Sequence, residues 1–278
     1  MNAIEFALLV WIASFFAGLL GALTGLGGAA VLVPVLTLWF HVHIHYAAGA
    51  SLVSVIATSS GAAAAYVKEG YTNIRIGMFL EIATTVGAVL GAFLATKTSA
   101  EGIAIILGLV LLYSGYLSGR KQPEHPVATK PDPLADALRM HGSYPTLEGP
   151  REYKVSSVPS GFGLMFGAGT LSGLLGIGSG AVKVLAMDQA MKLPFKVSTT
   201  TSNFMIGVTA AASAGVYLRR GYIDPALAMP VMLGVVAGSF LGARLLARAR
   251  TQWLRRLFAL VIVAMAIELI FDALAGRL

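Results

Sequence analysis

The sequence contains no cysteine, which removes disulfides, thiolate metal sites and thiol chemistry. It has little charge. Only 12% of its 278 residues are Asp, Glu, Lys or Arg, against about 25% in a soluble domain. Acid is the scarcer sign, with 13 Asp and Glu against 20 Lys and Arg, a formal net charge of +7. There is no HExxH segment of the metalloprotease kind. What fills the chain is apolar: 56% of residues are hydrophobic and the mean hydropathy is +0.78. A soluble enzyme, a disordered chain and a secreted disulfide scaffold are excluded. The apolar excess covers nearly the whole chain, as in a multi-span membrane protein. The basic residues lie between the hydrophobic runs, so they speak for orientation in a bilayer and not for nucleic acid.

Apolar runs fall at about 3–23, 46–66, 74–96, 101–119, 158–175, 197–217, 225–247 and 253–275, each near the ~20 residues a spanning helix needs. Two shorter runs, about 29–40 and 179–191, each follow a glycine cluster. No small-residue cleavage site follows the first run, so a retained helix is expected there. Residues 120–157 differ. They hold Pro123, Pro126, Pro131, Pro133, Pro145 and Pro150 among mixed charges, the pattern of an exposed loop with at most one short helix near Leu134–Met140. The expected organisation is a first transmembrane repeat over 1–119, a polar cytoplasmic loop over 120–157 and a second repeat over 158–278. Asp224-Pro225 reads as an N-cap and first helical residue, and Asn73 can cap the run beginning at Ile74.

The two halves repeat at an offset of 151 residues without a gap. Gly18, Gly25 and Gly27 match Gly169, Gly176 and Gly178; Ser51, Thr58 and Tyr66 match Ser202, Thr209 and Tyr217; Gly87 and Gly91 match Gly238 and Gly242. Transporters are often built this way. If the short runs cross, each half has five crossings. Lys68, Arg75, six basic residues of the central loop, Lys192, Lys196, Arg244, Arg248, Arg250, Arg255 and Arg256 then share one side, with Lys97, Arg219, Arg220 and Arg277 opposite. If the short runs are re-entrant, the bias vanishes. The positive-inside rule therefore favours an all-α protein of ten crossings in two inverted five-helix repeats, with both termini outside and the central loop cytoplasmic.

The glycine elements, with Gly25, Gly27 and Gly28 in one half and Gly176, Gly178 and Gly180 in the other, break the helix. Broken backbone at membrane depth is tolerated only where it is packed in protein or lines a cavity. A short helix after the break would aim free N–H groups at an anion; close helix packing is the alternative use of such glycines. Ser51 and Thr58 are seven residues apart, as are Ser202 and Thr209, so each pair shares a helix face. Ser54, Ser179 and Asn203 lie close enough to add hydrogen bonds to a substrate, although hydroxyls in such helices also bond their own backbone. Lys183 interrupts an apolar run one turn after the second break, where its repeat partner is Leu32. An intramembrane charge is a functional candidate, here for anion attraction. Glu81 and Asp188 are the coupling candidates. His41, His43 and His45 alternate in a loop with no nearby acid, a poor metal set, and no metal or other cofactor is expected. The Gly87/Gly91 and Gly238/Gly242 pairs are packing motifs.

The glycine-rich element, repeated in two homologous halves of a chain this size, resembles the TauE/SafE sulfite exporter family. The run Thr199-Thr200-Thr201-Ser202-Asn203-Phe204-Met205-Ile206-Gly207-Val208-Thr209-Ala210 is similar to that family's pattern as well. The likeness covers the chain apart from the central loop, with two departures: Ser179 stands where the first half has Gly28, and the first-half run Ala47-Ala48-Gly49-Ala50-Ser51 is less polar than its partner. The resemblance implies transport of sulfite, organosulfonates or related small anions across the cytoplasmic membrane, in either direction. Such a carrier would bind its anion near the midplane, alternate access by rocking one half against the other, couple to protons or ions, and allow a homo-oligomer. An anion channel is the alternative. An intramembrane serine protease is disfavoured. Ile177 stands where a GxSG element needs glycine, and no histidine lies in a second-half span.

Overall fold

A computed structural model describes residues 2–24, 28–68, 70–118, 132–146, 149–178, 180–246 and 251–277. The described chain is mostly helical. The first half comprises α1 (Ala3–Thr24), α2 (Ala29–Leu38), α3 (Ile44–Lys68), α4 (Ile74–Ala95) and α5 (Ala100–Ser118). Between the halves lie α6 (Pro133–Ala137) and two strands, β1 (Gly142–Thr146) and β2 (Gly149–Tyr153). The second half comprises α7 (Val158–Leu175), α8 (Gly180–Leu185) with a π-helical turn at Ala186–Ala190, α9 (Phe195–Arg219), α10 (Pro225–Leu246) and α11 (Thr251–Leu274). Among the described residues, α4, α7 and α10 are long and apolar enough to cross a membrane.

Local chemistry sets several of these ends. The Asn73 side chain accepts from the Ile76 N–H at 3.1 Å, and the Asp224 carboxylate accepts from the Ala226 N–H at 2.9 Å. Each satisfies a backbone donor that the first helical turn leaves without a partner. At the far end of α7, Gly176 adopts φ +69° and donates its N–H to the Ser172 carbonyl, the left-handed exit that glycine makes easy. It is held there by crowding too, since a Cβ on Gly176 would lie 2.6 Å from the Ala48 Cβ.

The packing joins elements of opposite halves. Helix α1 packs on α10 and α4 on α7. A Cβ on Gly234 would lie 2.4 Å from the Trp11 carbonyl oxygen, and one on Gly238 would lie 1.9 Å from that of Phe15, so α1 and α10 run parallel. The same holds across the other pair, where a Cβ on Gly87 or Gly91 would lie 2.2 or 2.0 Å from the Phe166 or Thr170 carbonyl oxygen. From the facing side, a Cβ on Gly169 or Gly173 would lie 2.2 or 2.0 Å from the carbonyl oxygen of Thr84 or Ala88. Such close backbone approach needs glycine on the touching face. Helix α3 instead runs antiparallel to α9: Gly49 lies against Tyr222, at the end of α9, whereas Gly207, further up α9, lies against Ser59. The α5 helix packs on α11.

The short second elements return inside these pairs. Every residue of α2 is buried, and the Phe6 and Phe40 rings meet edge-on at 5.9 Å, so α2 runs back along α1 toward its start. The π-helical turn ends beside the start of α7, where the Ser156 N–H donates to the Met191 carbonyl at 3.1 Å and Gly161 lies against Met191.

The central segment is more ordered than its prolines suggest. Helix α6 is shorter than expected, and β1 pairs antiparallel with β2, placing Tyr144 opposite Arg151. Ala135, Met140, Tyr144 and Val155 are buried in one hydrophobic cluster with Ile76 and Leu80 of α4, Met165 of α7, Met187 of the π turn and Val197 of α9. Pro145 and Pro150 face each other within the hairpin, where proline at a strand edge removes no needed donor. Asn73 fastens the hairpin by donating to Tyr153 Oη at 2.7 Å and to the Met140 carbonyl at 2.9 Å. Asp132 closes the far end, accepting from the Leu134 N–H at 2.9 Å and the Val158 N–H at 2.6 Å.

Candidate functional site

Three elements from two halves bring one charge of each sign together. Lys183, on α8, is completely buried. Its Nζ donates to Thr209 Oγ1 on α9 at 2.5 Å. Thr209 Oγ1 lies 2.7 Å from Glu81 Oε1 on α4. Two more hydroxyls line the carboxylate: Thr85 donates to Oε1 at 3.1 Å, and Thr84 Oγ1 lies 3.4 Å from Thr209 Oγ1. Glu81 Oε2 is buried and has no hydrogen-bond partner.

Thr209 is the hinge of this arrangement. Its hydroxyl also reaches the Met205 carbonyl at 3.0 Å, so a single proton has three acceptors within range and serves one at a time. The ammonium and the carboxylate are held one hydroxyl apart instead of in direct contact. No ion pair within 4.0 Å joins them among the described residues. The carboxylate is presented by α4, whose start Asn73 caps and whose face carries Glu81, Thr84 and Thr85 on successive positions one turn apart. The ammonium enters from α8, which the glycine exit at Gly176 and Gly178 turns back into the protein; Gly178 also has a positive φ, +73°.

The other expected residues take varied places. Ser202 Oγ donates to the Gly180 carbonyl at 3.3 Å, tying α9 to the start of α8. Ser51, its repeat partner, is buried without a hydrogen-bond partner. Ser54 and Thr58 turn to their own helix, bonding the Ser51 and Ser54 carbonyls at 2.8 and 3.0 Å, as hydroxyls in apolar helices often do. Asn203 is partly exposed. Asp188 is buried in the π turn, with Lys192 as its charged neighbour. Gly28 stands at the start of α2, close against Ala17 and Gly18. Gly25, Gly27 and Ser179 lie outside the described residues. His45 bonds the Ala95 carbonyl at 2.9 Å and His43 at 3.2 Å, a role in joining loop to helix. Among the described residues no group of three or more His, Asp or Glu side chains could hold a metal.

The sequence reading named Lys183, Thr209 and Glu81 separately but not their meeting, and it missed Thr84 and Thr85. The repeat carried the missing signal. At the offset of 151, Glu81 faces Met232, Thr84 faces Val235 and Thr85 faces Val236, just as Lys183 faces Leu32. Of this polar group, only Thr209 has a polar counterpart, Thr58. Four of the five converging residues, Lys183, Glu81, Thr84 and Thr85, are polar in one repeat and apolar in the other.

Comparison with known proteins gives a consistent result. The family model for the sulfite exporter TauE/SafE matches residues 10–269. The chain is 25% identical over 278 residues to the probable membrane transporter protein YunE of Bacillus subtilis, covering 97% of this chain and 99% of that one. It is 26% identical over 238 residues to the probable membrane transporter protein YdhB of the same species, covering 85% and 89%. It is 28% identical over 265 residues to a probable membrane transporter protein of Xylella fastidiosa, covering 93% and 94%. No solved structure matches the chain.

Proposed function

Because this chain belongs to the sulfite exporter TauE/SafE family and is a membrane transporter, we propose that it is a secondary carrier of sulfite, organosulfonates or related small anions. The observation that carries this reading is Lys183. A wholly buried ammonium is expensive in an apolar setting, and Glu81 stands one hydroxyl away from it instead of in direct contact. The single described hydrogen bond of the ammonium goes to Thr209, which leaves two N–H donors for the oxygens of an anion. The alternating-access site in this reading lies around Lys183, Thr209 and Ser202, beneath the second glycine element.

The topology we propose is ten crossings in two inverted repeats, with the central loop cytoplasmic and both termini outside. The antiparallel course of α3 against α9 supports it. So does the return of α2 and of the α8–π segment along the helices that precede them. The repeat exchanges α1·α10 with α7·α4, and both pairs are present. This packing favours moving units other than the sequence halves. One unit is built around α1, α3 and α10 and the other around α4, α7 and α9, so each draws helices from both halves.

Radiotracer flux into liposomes containing the purified protein tests the reading. Saturable uptake of labelled sulfite or methanesulfonate is expected, with counterflow when unlabelled anion fills the lumen. Absence of saturable flux for both, with correctly inserted protein, would refute it. Unitary currents in a planar bilayer would assign a channel instead.

A further inference from the structure

The arrangement at Lys183 also bears on what travels with the anion. We propose that each monovalent anion is carried together with one proton, and that the proton rides on Glu81. The inference rests on the anion-carrier reading above and goes beyond it by naming the coupling ion, its binding atom and the stoichiometry.

The geometry supplies two unused capacities side by side. Lys183 Nζ has donors to spare, and Glu81 Oε2 is a buried acceptor without a partner. Between them stands Thr209, whose hydroxyl serves either Glu81 Oε1 or the Met205 carbonyl. With both groups ionised the site is neutral. An anion seated on Nζ adds a second negative charge next to the first, in a buried place where water screens little. A proton on Oε2 removes the conflict. The incoming anion becomes the counter-charge of Lys183, and Glu81 becomes a neutral acid. The balance is complete. One anion and one proton enter, one O–H bond forms on the carboxylate, and the net charge is zero before and after. On the opposite side, loss of the anion leaves Lys183 without a counter-charge until the proton departs from Glu81. The two affinities are therefore linked, each strengthening the other by the same factor.

The surroundings isolate this exchange. Helix α7, packed on α4, has no charged residue over Val158–Leu175. On α9 the charged side chains are near its two ends. Lys196 sits over the Tyr71 ring at 5.9 Å, and Arg219 is exposed in the last turn. On α4 itself, Arg75 donates to the Arg139 carbonyl at 3.1 Å; in the π turn, Asp188 neighbours Lys192. Among the described residues, Lys183 is thus the charged group facing Glu81. The repeat-related positions are Met232 on α10, Leu32 on α2 and Thr58 on α3, so they carry no carboxylate or ammonium to match. Among the described residues, Glu81 is thus the carboxylate held one hydroxyl from a buried ammonium.

Methanesulfonate is the probe, because its acid is fully ionised at any pH the protein tolerates, so every proton counted belongs to the protein. Purified full-length protein is placed in liposomes with the pH dye pyranine inside and the membrane potential held at zero. An inward methanesulfonate gradient is expected to acidify the lumen at about one proton per anion, and uptake should slow by up to about tenfold per unit rise in external pH. Glu81→Gln, fixed in the neutral form, should lose both the acidification and the pH dependence of whatever methanesulfonate exchange it still carries. Saturable methanesulfonate uptake by the wild type without acidification would overturn the proton coupling alone. Acidification persisting in Glu81→Gln would overturn Glu81 as its carrier. Absence of any saturable flux would instead overturn the anion-carrier reading. Should Glu81→Gln not insert, the wild-type proton-to-anion ratio and the pH profile of Glu81→Asp decide.

Discussion

Replacing one glycine of a touching helix pair by alanine measures how much the fold depends on close backbone approach. At Gly238 the new methyl would lie 1.9 Å from the Phe15 carbonyl oxygen, and at Gly91 it would lie 2.0 Å from that of Thr170. Ordinary contact begins near 3.4 Å. Each pair must then open by about 1.4 Å, and because the obstacle is backbone, a whole helix has to move. Overpacking of this kind costs about 1–3 kcal/mol, and a rigid obstacle places it near the upper figure. Against this, alanine in a helix gains about 1 kcal/mol over glycine. The net loss is about 2 kcal/mol. Gly163 and Gly167, on α7, are the internal control, since a methyl on either meets nothing within 4 Å. There the propensity gain stands alone. At about 2–4 °C per kcal/mol for a chain of this size, Gly238→Ala should melt about 6–12 °C below Gly167→Ala. The three tryptophans allow the melt to be followed by intrinsic fluorescence in detergent, and Trp11 sits on the α1 face that Gly234 touches. Equal or higher melting of Gly238→Ala would refute the close parallel packing of α1 on α10.

Other perturbations separate charge from packing. Lys183→Leu and Glu81→Met introduce the residues found at the repeat-related positions; either alone should destabilise by about 3–5 kcal/mol, as an orphaned buried charge does. The double variant should regain most of that loss in thermal unfolding while losing anion transport. Lys183→Ala should weaken methanesulfonate binding by about 10–100-fold, the value of a hydrogen bond to a charged group, and leave the neutral analogue dimethyl sulfone nearly unaffected in a thermal-shift titration. Asn73→Ala removes the cap of α4 and the donor to Tyr153, so about 1–2 kcal/mol should be lost and trypsin should cut faster after the exposed Arg151 and Lys154. Burial pushes the Tyr153 phenol above its ordinary range. A group raised on folding stabilises fully below its unfolded pKa, so the trypsin protection should hold below pH ~10 and fall above it. The cysteine-free sequence also permits single-cysteine labelling. An impermeant maleimide should reach Ser143→Cys from the cytoplasmic side and Arg220→Cys from the outer side.

Much of the helical plan is legible in the sequence. Apolar runs placed α4, α7 and α10 almost to the residue, because hydropathy is a local property and the caps at Asn73 and Asp224 mark the starts. The glycine pairs were legible as packing surfaces, yet which helix each would touch was not. Gly91 meets Thr170 across 79 residues of chain, and nothing in either segment names the other. The hairpin was hidden by its prolines, which signal a loop unless strand pairing places them at an edge, as with Pro145 and Pro150. At the site, burial of Lys183 followed from its position in an apolar run. Its bond to Thr209 did not, because a hydroxyl on a helix face can turn to its own backbone, as Thr58 does, or across to a charge, as Thr209 does. The two share a repeat position, and only the neighbours at Glu81 and Lys183 decide between them.

The pairing of α1 with α10 also dictates when the protein can be finished. Between the end of α1 at Thr24 and the start of α10 at Pro225 lies most of the chain. At about 5–20 residues per second, some 200 residues take about 10–40 s to synthesise. Throughout that interval the α1 surface that will receive Gly234 and Gly238 has lipid or insertion machinery for company. Helix α4 waits far less, because α7 follows about 60 residues behind its end, or about 3–12 s. Assembly therefore has a forced order, with the unit that holds Glu81 closing first and the unit around α1 closing last. A nascent chain released before α10 emerges leaves α1 unclasped, an open helix surface that quality-control proteases can recognise.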